Sequence, residues 1–562
     1  MKASKNNTVK LAIIAVVVFS LIFGIVYVTQ NWGKSKNAVD SESALKTLDK
    51  LYGKLDVATL ELHKENVDLS GVNLSASLPD ISTYPIAASQ TTEDYIEIFS
   101  SPEKAGTSYE SWLVDVADKF NKSGATVNGK PVSVAVRNIS SGVGVDYISS
   151  GKYMPDVFAP STEFWGDMLA DKGIKVTLVE KRIAGNVAGI VISKKKNDEL
   201  VKKYGSVNSK NIVEAVLNSE LAMGYTNPFV SSTGLNFLLT TLYTLDANNP
   251  LGDDSVARFQ KFQDNIPYVA YNTMQMKESA KAGTLDGFVL EYQTYVNSPD
   301  IKSSYVFTPF GVRHDQPIYE VGDLSDVKKE ITAEFMEYCK TAESQKLASD
   351  KGFNGMDNYV YEFAKADGAT VSQAQQIWKK EKHGTSDLTA VFVADISGSM
   401  DGAPLLKLKE SLNSAAKFII PETQVGFVTF SDNVNIALPI AKFDLNQRSY
   451  FTGAISDMRA GGGTAMFDAI IVATKMLTDA KAQNPNTKPM LFVLTDGETN
   501  RGNSLNSVEK MLRSLKIPIY TIGYNANISV LQNLSNINEA ANINAETDDV
   551  IYKLESLFNA QM

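Results

Sequence analysis

Two apolar stretches that end in aspartate place the strongest constraint on the fold of the C-terminal third of this chain. The stretch LTAVFVAD ends in Asp395, and the apolar part of PMLFVLTDGET ends at Asp496. Near-continuous apolar strands that alternate with helical segments are typical of a doubly wound parallel sheet. Such sheets bind ligands beyond the carboxyl ends of their strands, where both aspartates fall. The pattern therefore predicts an α/β domain with a ligand site at this edge.

Three hydroxyl residues accompany these aspartates. Asp395 begins the motif D-x-S-x-S with Ser397 and Ser399, and Thr464 follows three glycines in AGGGTAMFDAI. Two carboxylates held close together disfavour each other's charge unless a cation lies between them. Hard oxygen ligands from Asp, Ser and Thr select Mg²⁺, Mn²⁺ or Ca²⁺ and fit zinc poorly. The glycine run is not a nucleotide-binding loop, because no Gly-Lys-Ser/Thr follows it.

This arrangement resembles the von Willebrand factor type A domain with an intact metal-ion-dependent adhesion site, over residues 387–562. The resemblance implies that the serines and the threonine bind the ion directly and that the aspartates act directly or through water. It also implies that an acidic side chain of a partner protein fills the open coordination position. The alternative is that D-x-S-x-S is a helix-capping turn. The five predicted metal-site residues are Asp395, Ser397, Ser399, Thr464 and Asp496.

Short apolar strands also alternate with amphipathic helices from about Tyr95 to Gln345, which predicts a second α/β domain. Several of its strands end in hydroxyl residues just before a helix. Hydroxyls and backbone N–H groups at helix N-termini bind anions. The alternative role of such residues is helix N-capping. The candidate ligand-binding residues are Ser100, Ser101, Ser140, Ser141, Ser161, Ser231, Ser232 and Thr233.

The order of these elements resembles the two-lobed bacterial extracellular solute-binding proteins that capture oxyanions such as molybdate, sulfate or phosphate. The stretch TNPFVSSTG resembles their hinge-proximal turn, and FVLEYQTYVN resembles their returning crossover. The resemblance implies a periplasmic-binding-protein-like α/β domain with a small oxyanion or metabolite in its cleft. These loops carry no lysine or arginine cluster, which favours neutral or dipole-based recognition. A cleft that has lost its ligand and serves as an interaction scaffold is the other interpretation.

The N-terminal segment LAIIAVVVFSLIFGIVYVT, residues 11–29, contains no charged side chain. As a helix it spans roughly 28 Å, close to the thickness of a hydrocarbon core. Lys2, Lys5 and Lys10 precede it, which predicts a cytoplasmic N-terminus. A cleaved signal peptide is the alternative, but no small-x-small cleavage site follows. The segment therefore predicts a single-pass protein of the cell membrane, with the bulk of the chain outside the cytoplasm.

Composition excludes several classes of protein. The net charge of −10 argues against a nucleic-acid binder, which normally carries a basic patch. A single cysteine rules out an internal disulfide framework and a Cys-rich zinc site. The three histidines are isolated and form no HExxH motif, which argues against a His-built metalloenzyme.

Together these features predict six segments: a cytoplasmic N-terminus (1–10), a transmembrane anchor (11–29), a stalk or packing extension (30–90), a solute-binding-like domain (91–345), a linker helix region (346–386) and a type A-like domain (387–562). This layout resembles bacterial proteins that carry the same domain pair. The first hypothesis is a non-enzymatic binding protein whose Mg²⁺ captures a carboxylate of a partner protein. The second is a tethered receptor for a small oxyanion or metabolite, with the type A-like domain relaying to a partner. The third is an ATPase-linked component or a metal-assisted hydrolase.

Overall fold

The computed structural model describes residues 40–68, 78–270, 273, 276–277, 285–361, 363–497, 499–524, 528–535, 542–545, 554–555, 557–558 and 561. The predicted transmembrane anchor, residues 11–29, lies outside this described part of the chain. Within the described part, no helix combines the length and the apolar content that a membrane span requires.

The described strands form three sheets. In chain order they are β1 (Val57–Thr59), β2 (Ile86–Ala88), β3 (Asp94–Ser100), β4 (Thr126–Val127), β5 (Lys130–Asn138), β6 (Val157–Ala159), β7 (Val176–Glu180), β8 (Val187–Ser193), β9 (Met223–Thr226), β10 (Tyr268–Ala270), β11 (Gly287–Glu291), β12 (Tyr305–Arg313), β13 (Ile318–Val321), β14 (Asp387–Asp395), β15 (Gln424–Phe430), β16 (Val434–Lys442), β17 (Thr487–Thr495), β18 (Ile519–Tyr524) and β19 (Asn542–Ala545).

Helices connect and cover these sheets. In chain order the described helices are α1 (Ser41–Tyr52), α2 (Pro102–Ala105), α3 (Trp112–Lys122), α4 (Ser141–Ser150), α5 (Phe164–Asp171), α6 (Lys194–Tyr204), α7 (Ser209–Leu217), α8 (Ser232–Leu245), α9 (Asp253–Asp264), α10 (Tyr292–Val296), α11 (Pro299–Ser304), α12 (Asp326–Lys340), α13 (Ala342–Asp350), α14 (Gly368–Glu381), α15 (Ala403–Ala416), α16 (Leu445–Asp457), α17 (Met466–Gln483), α18 (Leu505–Leu515) and α19 (Ile528–Ser535).

The middle of the chain folds into two lobes, each built on its own sheet. The first lobe has the strand order β2-β5-β3-β6-β13-β7, with β4 paired to β5. Its strand β3 pairs parallel with both β5 and β6. Helix α3 buries the face that carries Trp112, Val116 and Phe120, as its helical spacing predicts. The second lobe has the order β10-β9-β11-β8-β12.

The chain passes between the lobes at residues 181–186 and 314–317, and these two crossover segments lie side by side. Backbone hydrogen bonds of 3.0 Å link Asn186 and His314 in both directions. Helix α14 packs against α5 of the first lobe and against α8 and α9 of the second. Its Trp378 donates a hydrogen bond from Nε1 to the Tyr225 hydroxyl at 2.6 Å. The predicted linker region 346–386 therefore includes a helix that holds both lobes.

The C-terminal domain contains a seven-stranded sheet in the order β1-β16-β15-β14-β17-β18-β19. Strands β15, β14, β17 and β18 run parallel, and β16 pairs antiparallel with β15. Because side chains alternate between the two faces of a strand, Val391 and Val393 join the core beneath α17, and Phe392 and Ala394 join the core beneath α15. Apolar packing on both faces is the doubly wound arrangement that the strand pattern predicts.

Residues 40–68 of the segment predicted as a stalk or packing extension pack on this C-terminal sheet, whereas its residues 86–88 form strand β2 of the first lobe. Helix α1 contacts α17 and α18, and its Ala44 and Leu48 are fully buried. Strand β1 adds a parallel edge strand beside β16, with Val57 paired to Val434. The helix ends at Tyr52, and strand β1 follows from Val57. The middle domain is therefore inserted between two parts of the C-terminal domain.

Candidate functional site

The first candidate site lies at the edge of the C-terminal sheet where β14 and β17 end. Asp395 is the last residue of β14, and Asp496 directly follows β17, its parallel neighbour. The backbone N–H of Ser397 donates to Asp395 Oδ1 at 2.8 Å. The Ser399 hydroxyl donates to Asp496 Oδ1 at 2.9 Å and lies 3.1 Å from Ser397 Oγ. Four of the five predicted residues are thus linked by hydrogen bonds.

The glycine-rich loop carries the fifth predicted residue, Thr464, to the same edge. Gly461 N–H donates to the Ile396 carbonyl at 2.9 Å, and Gly398 N–H donates to the Gly462 carbonyl at 3.0 Å. Gly462 has φ +82°, and a Cβ there would lie 2.5 Å from a carboxylate oxygen of Asp432. This turn therefore requires glycine, and it holds the loop against the D-x-S-x-S segment.

The electrostatics of this edge suit a hard cation. Burial raises the pKa of Asp395 above its ordinary range, and the charge of Asp496 raises it further. Burial also raises the pKa of Asp496. Among the described residues no three His, Cys, Asp or Glu side chains form a metal-holding group, so hydroxyl oxygens must complete any site here. Two carboxylates and three hydroxyls are the donor chemistry that Mg²⁺ accepts.

An ion pair at the rim of this site was not expected from the sequence. Arg501 Nε lies 2.6 Å from Asp432 Oδ1, and the same oxygen accepts a 2.9 Å hydrogen bond from Gly463 N–H. The Asn500 side chain accepts from Thr464 N–H at 2.9 Å. These contacts fix the Thr464 loop from the side opposite Asp395. The sequence offers no local signal for them, because the partners come from three separate loops.

The second candidate site is a cavity of about 300 Å³ between the two lobes. The N-terminal ends of α4 and α8 meet there, since Ser140 and Ser231 are their N-cap residues. Ser231 accepts a hydrogen bond from Gly234 N–H, as the N-capping alternative predicts, whereas Ser140 makes no such cap bond. Six of the eight predicted residues line the cavity: Ser101, Ser140, Ser141, Ser161, Ser231 and Ser232.

The other two predicted residues do not line this cavity. Ser100 is fully buried, and its hydroxyl has no hydrogen-bond partner. Ser100 is the last residue of β3, whereas Ser101 is the N-cap residue of α2 and lines the cavity. The Thr233 hydroxyl donates to Glu291 Oε1 at 3.0 Å and so supports a residue that lines the cavity.

Three glutamates line the cavity that the sequence interpretation did not include: Glu103, Glu110 and Glu291. Burial opposes the charge of Glu103, but Lys104 and the hydroxyls of Ser101 and Ser161 hold its pKa below the ordinary value. Burial and the charges of Glu103 and Glu291 raise the pKa of Glu110 to about 7. Glu291 is the last residue of the apolar strand GFVLE. A carboxylate at the end of an apolar strand is also the sequence pattern that identified Asp395.

The two lobes are in close contact beside the cavity. The Ser232 hydroxyl of the second lobe donates to Ser141 Oγ of the first at 3.3 Å. Gly142 N–H donates to the Val230 carbonyl at 3.2 Å. A Cβ at Gly142 would lie 2.0 Å from the Phe229 carbonyl oxygen, so only glycine allows this approach.

Comparison with protein families assigns both domains. Residues 105–354 match the profile of the bacterial extracellular solute-binding protein family. Residues 390–560 match the von Willebrand factor type A domain. The chain carries a solute-binding domain followed by a type A domain. These matches confirm the predicted pair of domains and their order along the chain.

Individual relatives resemble parts of the chain. Inter-alpha-trypsin inhibitor heavy chain H3 of Bos taurus is 28% identical over 162 residues, which is 26% of this chain and 18% of the relative. The collagen alpha-6(VI) chain of Homo sapiens is 25% identical over 224 residues, which is 38% of this chain and 10% of the relative. The chain thus spans less than a fifth of the length of either curated relative.

Solved structures resemble each domain. The sulfate-binding protein SubI from Mycobacterium tuberculosis H37Rv is 16% identical with a TM-score of 0.34, covering 47% of this chain and 88% of that chain. A von Willebrand factor type A structure from Catenulispora acidiphila is 17% identical with a TM-score of 0.29, covering 31% of this chain and 42% of that chain.

Proposed function

We propose that this chain is a membrane-anchored extracytoplasmic binding protein whose type A domain engages an acidic group of a partner protein through a bound Mg²⁺. Mn²⁺ or Ca²⁺ would satisfy the same oxygen ligands. The residues that would hold the ion are Asp395, Ser397, Ser399, Thr464 and Asp496. The observation that carries the proposal is that two carboxyl groups and a hydrogen-bonded pair of serines meet at one sheet edge. Burial raises the pKa of both carboxyl groups.

The chemistry of the ion would be electrostatic and non-catalytic. A divalent cation at this edge offsets the repulsion between Asp395 and Asp496 and attracts an external carboxylate. The residues of the chain position the ion: the Thr464 loop is fixed by Asp432 and Asn500, and Ser399 is held by Asp496. We therefore propose a binding role for the domain and no enzymatic one.

Two measurements test this proposal. Isothermal titration of the metal-free chain with MgCl₂ should show one site, and Asp395→Asn should lose it, whereas the exposed control Asp479→Asn should keep it. Capture of extracytoplasmic proteins by the immobilised chain should then require Mg²⁺ and fail in EDTA. Equal capture by wild type and Asp395→Asn, with and without EDTA, would contradict the proposal.

The interlobe cavity favours a second function, that of a tethered receptor for a small solute. Two-lobed binding domains close around ligands by hinge motion, and the paired crossover segments at Asn186 and His314 are suited to act as the hinge. The second lobe also contacts the type A domain, where Lys488 Nζ donates to the Gln263 carbonyl at 3.1 Å, and the end of the linker region, where Thr385 N–H donates to Asp264 Oδ1 at 2.7 Å. These contacts support a relay from the cavity to the type A domain. If no small solute of either charge binds to the chain in calorimetric titrations, the receptor function is wrong.

A further inference from the structure

The cavity between the lobes is a cleft open to solvent on one side, and its size suits a small organic molecule. Its volume of about 300 Å³ lies at the lower end of the range for small-molecule sites. Among the described residues, no three His, Cys, Asp or Glu side chains are placed to hold a metal ion. The carboxylates around this space therefore do not form a metal site, and the identity of its occupant depends on their charges.

The charge of Glu103 is compensated within the protein. Lys104 Nζ lies 3.4 Å from Glu103 Oε1, and the hydroxyls of Ser101 and Ser161 donate to the same oxygen at 2.6 and 2.7 Å. Lys104 is itself fully buried and also donates to the Ala159 carbonyl at 2.8 Å. This pair adds little net charge to the cavity.

Among the described residues Glu291 forms no direct ion pair with a lysine or arginine, although the charge of Lys104 acts on it. Asn186 Nδ2 donates to Glu291 Oε2 at 2.8 Å, and His314 Nδ1 lies 3.1 Å from Glu291 Oε1. Val312 N–H donates to Asn236 Oδ1 at 2.9 Å, which fixes the amide so that Asn236 Nδ2 faces His314 Nε2 at 3.2 Å. An amide donor at Nε2 requires the neutral imidazole with its proton on Nδ1. The hydrogen-bond partners of the Glu291 carboxylate are therefore the Asn186 amide, the Thr233 hydroxyl and the His314 ring.

Glu110 is the carboxylate that lacks a partner. It lines the cavity and is partly buried, and among the described residues no donor or cation contacts its carboxylate group. Lys277 is the cation whose charge acts on it, but Lys277 Nζ donates to the Tyr109 hydroxyl at 3.3 Å. Burial and the neighbouring carboxylates raise the pKa of Glu110 to about 7. The cavity thus carries a negative potential with one unsatisfied acceptor.

We propose that this cavity binds a small organic cation, and that Glu110 accepts hydrogen bonds from its ammonium group. The serine hydroxyls on both lobes complete the site, because they can donate to and accept from the polar groups of such a ligand. Among the described residues no lysine or arginine contacts the carboxylate of Glu291 or Glu110, and Lys104 is already paired with Glu103, so an oxyanion would meet an excess of negative charge. The inference rests on the receptor role proposed above and specifies its ligand class.

Isothermal titration of the full chain at pH 8 tests the proposal with putrescine, ethanolamine and methylamine as ammonium compounds, and with sulfate and molybdate as anions. We expect at least one ammonium compound to bind, and Glu110→Gln to weaken its binding roughly tenfold or more, because a charge-assisted hydrogen bond is lost. The exposed control Glu334→Gln should bind as the wild type does. Thermal melting of each variant verifies that it is folded.

The remaining outcomes separate this inference from the receptor role. If sulfate or molybdate binds and no ammonium compound does, the ligand class is wrong and the receptor role stands. If an ammonium compound binds equally to wild type and Glu110→Gln, the assignment of Glu110 is wrong. If none of the five compounds binds, both the inference and the receptor role are contradicted.

Discussion

Asn186 and His314 exchange two backbone hydrogen bonds of 3.0 Å where the chain crosses between the lobes of the solute-binding domain. Both residues also contact Glu291 through their side chains, so the crossover and the cavity wall share a carboxylate. A ligand that changes the position of Glu291 therefore acts directly on the connection between the lobes.

Replacing Gly142 with alanine should push the lobes apart. The added Cβ would meet the Phe229 carbonyl oxygen at 2.0 Å, and backbone atoms cannot yield as a flexible side chain can. We expect a loss of about 1–3 kcal/mol in unfolding free energy and a larger radius of gyration by small-angle X-ray scattering. Ser150→Ala, on the exposed end of the same helix, should change neither value. A radius of gyration of Gly142→Ala equal to that of the wild type would refute this prediction.

Metal-free type A domain should become less stable as the pH rises. Burial raises the pKa of Asp395 and Asp496, so the folded state retains protons that the unfolded state releases near the ordinary aspartate pKa of 3.8. Stability is then greatest below that pH and declines as the folded carboxyls ionise. Melting curves from pH 4 to pH 8 should show this decline in EDTA and its reversal in Mg²⁺. Asp395→Asn should reduce both effects, and pH-independent melting in EDTA would count against the assignment.

Leu48→Ala should destabilise the type A domain, although it lies before the solute-binding domain in the sequence. Leu48 is fully buried in the core that α1 shares with α17, and truncation of a buried leucine costs about 2–5 kcal/mol. Leu45 is on the same helix with 41% of its surface exposed, so Leu45→Ala serves as the matched control. Chemical denaturation should separate the two variants. Equal stability would mean that α1 does not belong to this domain.

Glu110→Gln should stabilise the ligand-free chain more at pH 8 than at pH 5. The pKa of Glu110 rises from 4.5 to about 7, through burial first and then the charges of Glu103 and Glu291, with Lys277 opposing. The contribution of protonated Glu110 to the free energy of unfolding is therefore fully present below about pH 4.5, and it is lost as the pH rises to about 7. Glutamine stays neutral, so the free energy of unfolding of Glu110→Gln should exceed that of the wild type by an amount that grows over this pH range, up to about 3 kcal/mol. A constant difference between the two proteins across this range would show that Glu110 titrates normally.

The strand-end residues of the type A domain could be predicted because their signal is local. An apolar strand followed by D-x-S-x-S determines both the strand and the side-chain chemistry at its end, and parallel neighbours must end at the same edge. The structure brings Asp395, Ser397, Ser399 and Asp496 into one hydrogen-bonded set, as this reasoning predicts. The Asp432–Arg501 pair depends on loop positions that no local pattern encodes.

In the solute-binding domain, the serines that line the cavity could be predicted from the sequence, but the glutamates could not. Serines at strand ends were recognisable as possible helix caps or ligands, and six of them line the cavity. Glu103 and Glu110 lie in short helical turns with no periodic signal, and their approach to Glu291 depends on how two lobes pack. The packing of α1 on the type A domain could not be predicted from the sequence either, because the helices that α1 contacts follow the whole inserted domain in the chain.

The insertion of the solute-binding domain imposes an order on biosynthesis. Val57 pairs with Val434, so β1 leaves the ribosome long before its partner strand exists. Contacts between residues so far apart in sequence form slowly, and the solute-binding domain can fold while the N-terminal segment waits. The β1 edge of the type A sheet therefore cannot form until the whole solute-binding domain has been synthesised. For the same reason, a protease cut within the solute-binding domain would leave the N-terminal fragment held to the rest of the molecule by β1 and α1.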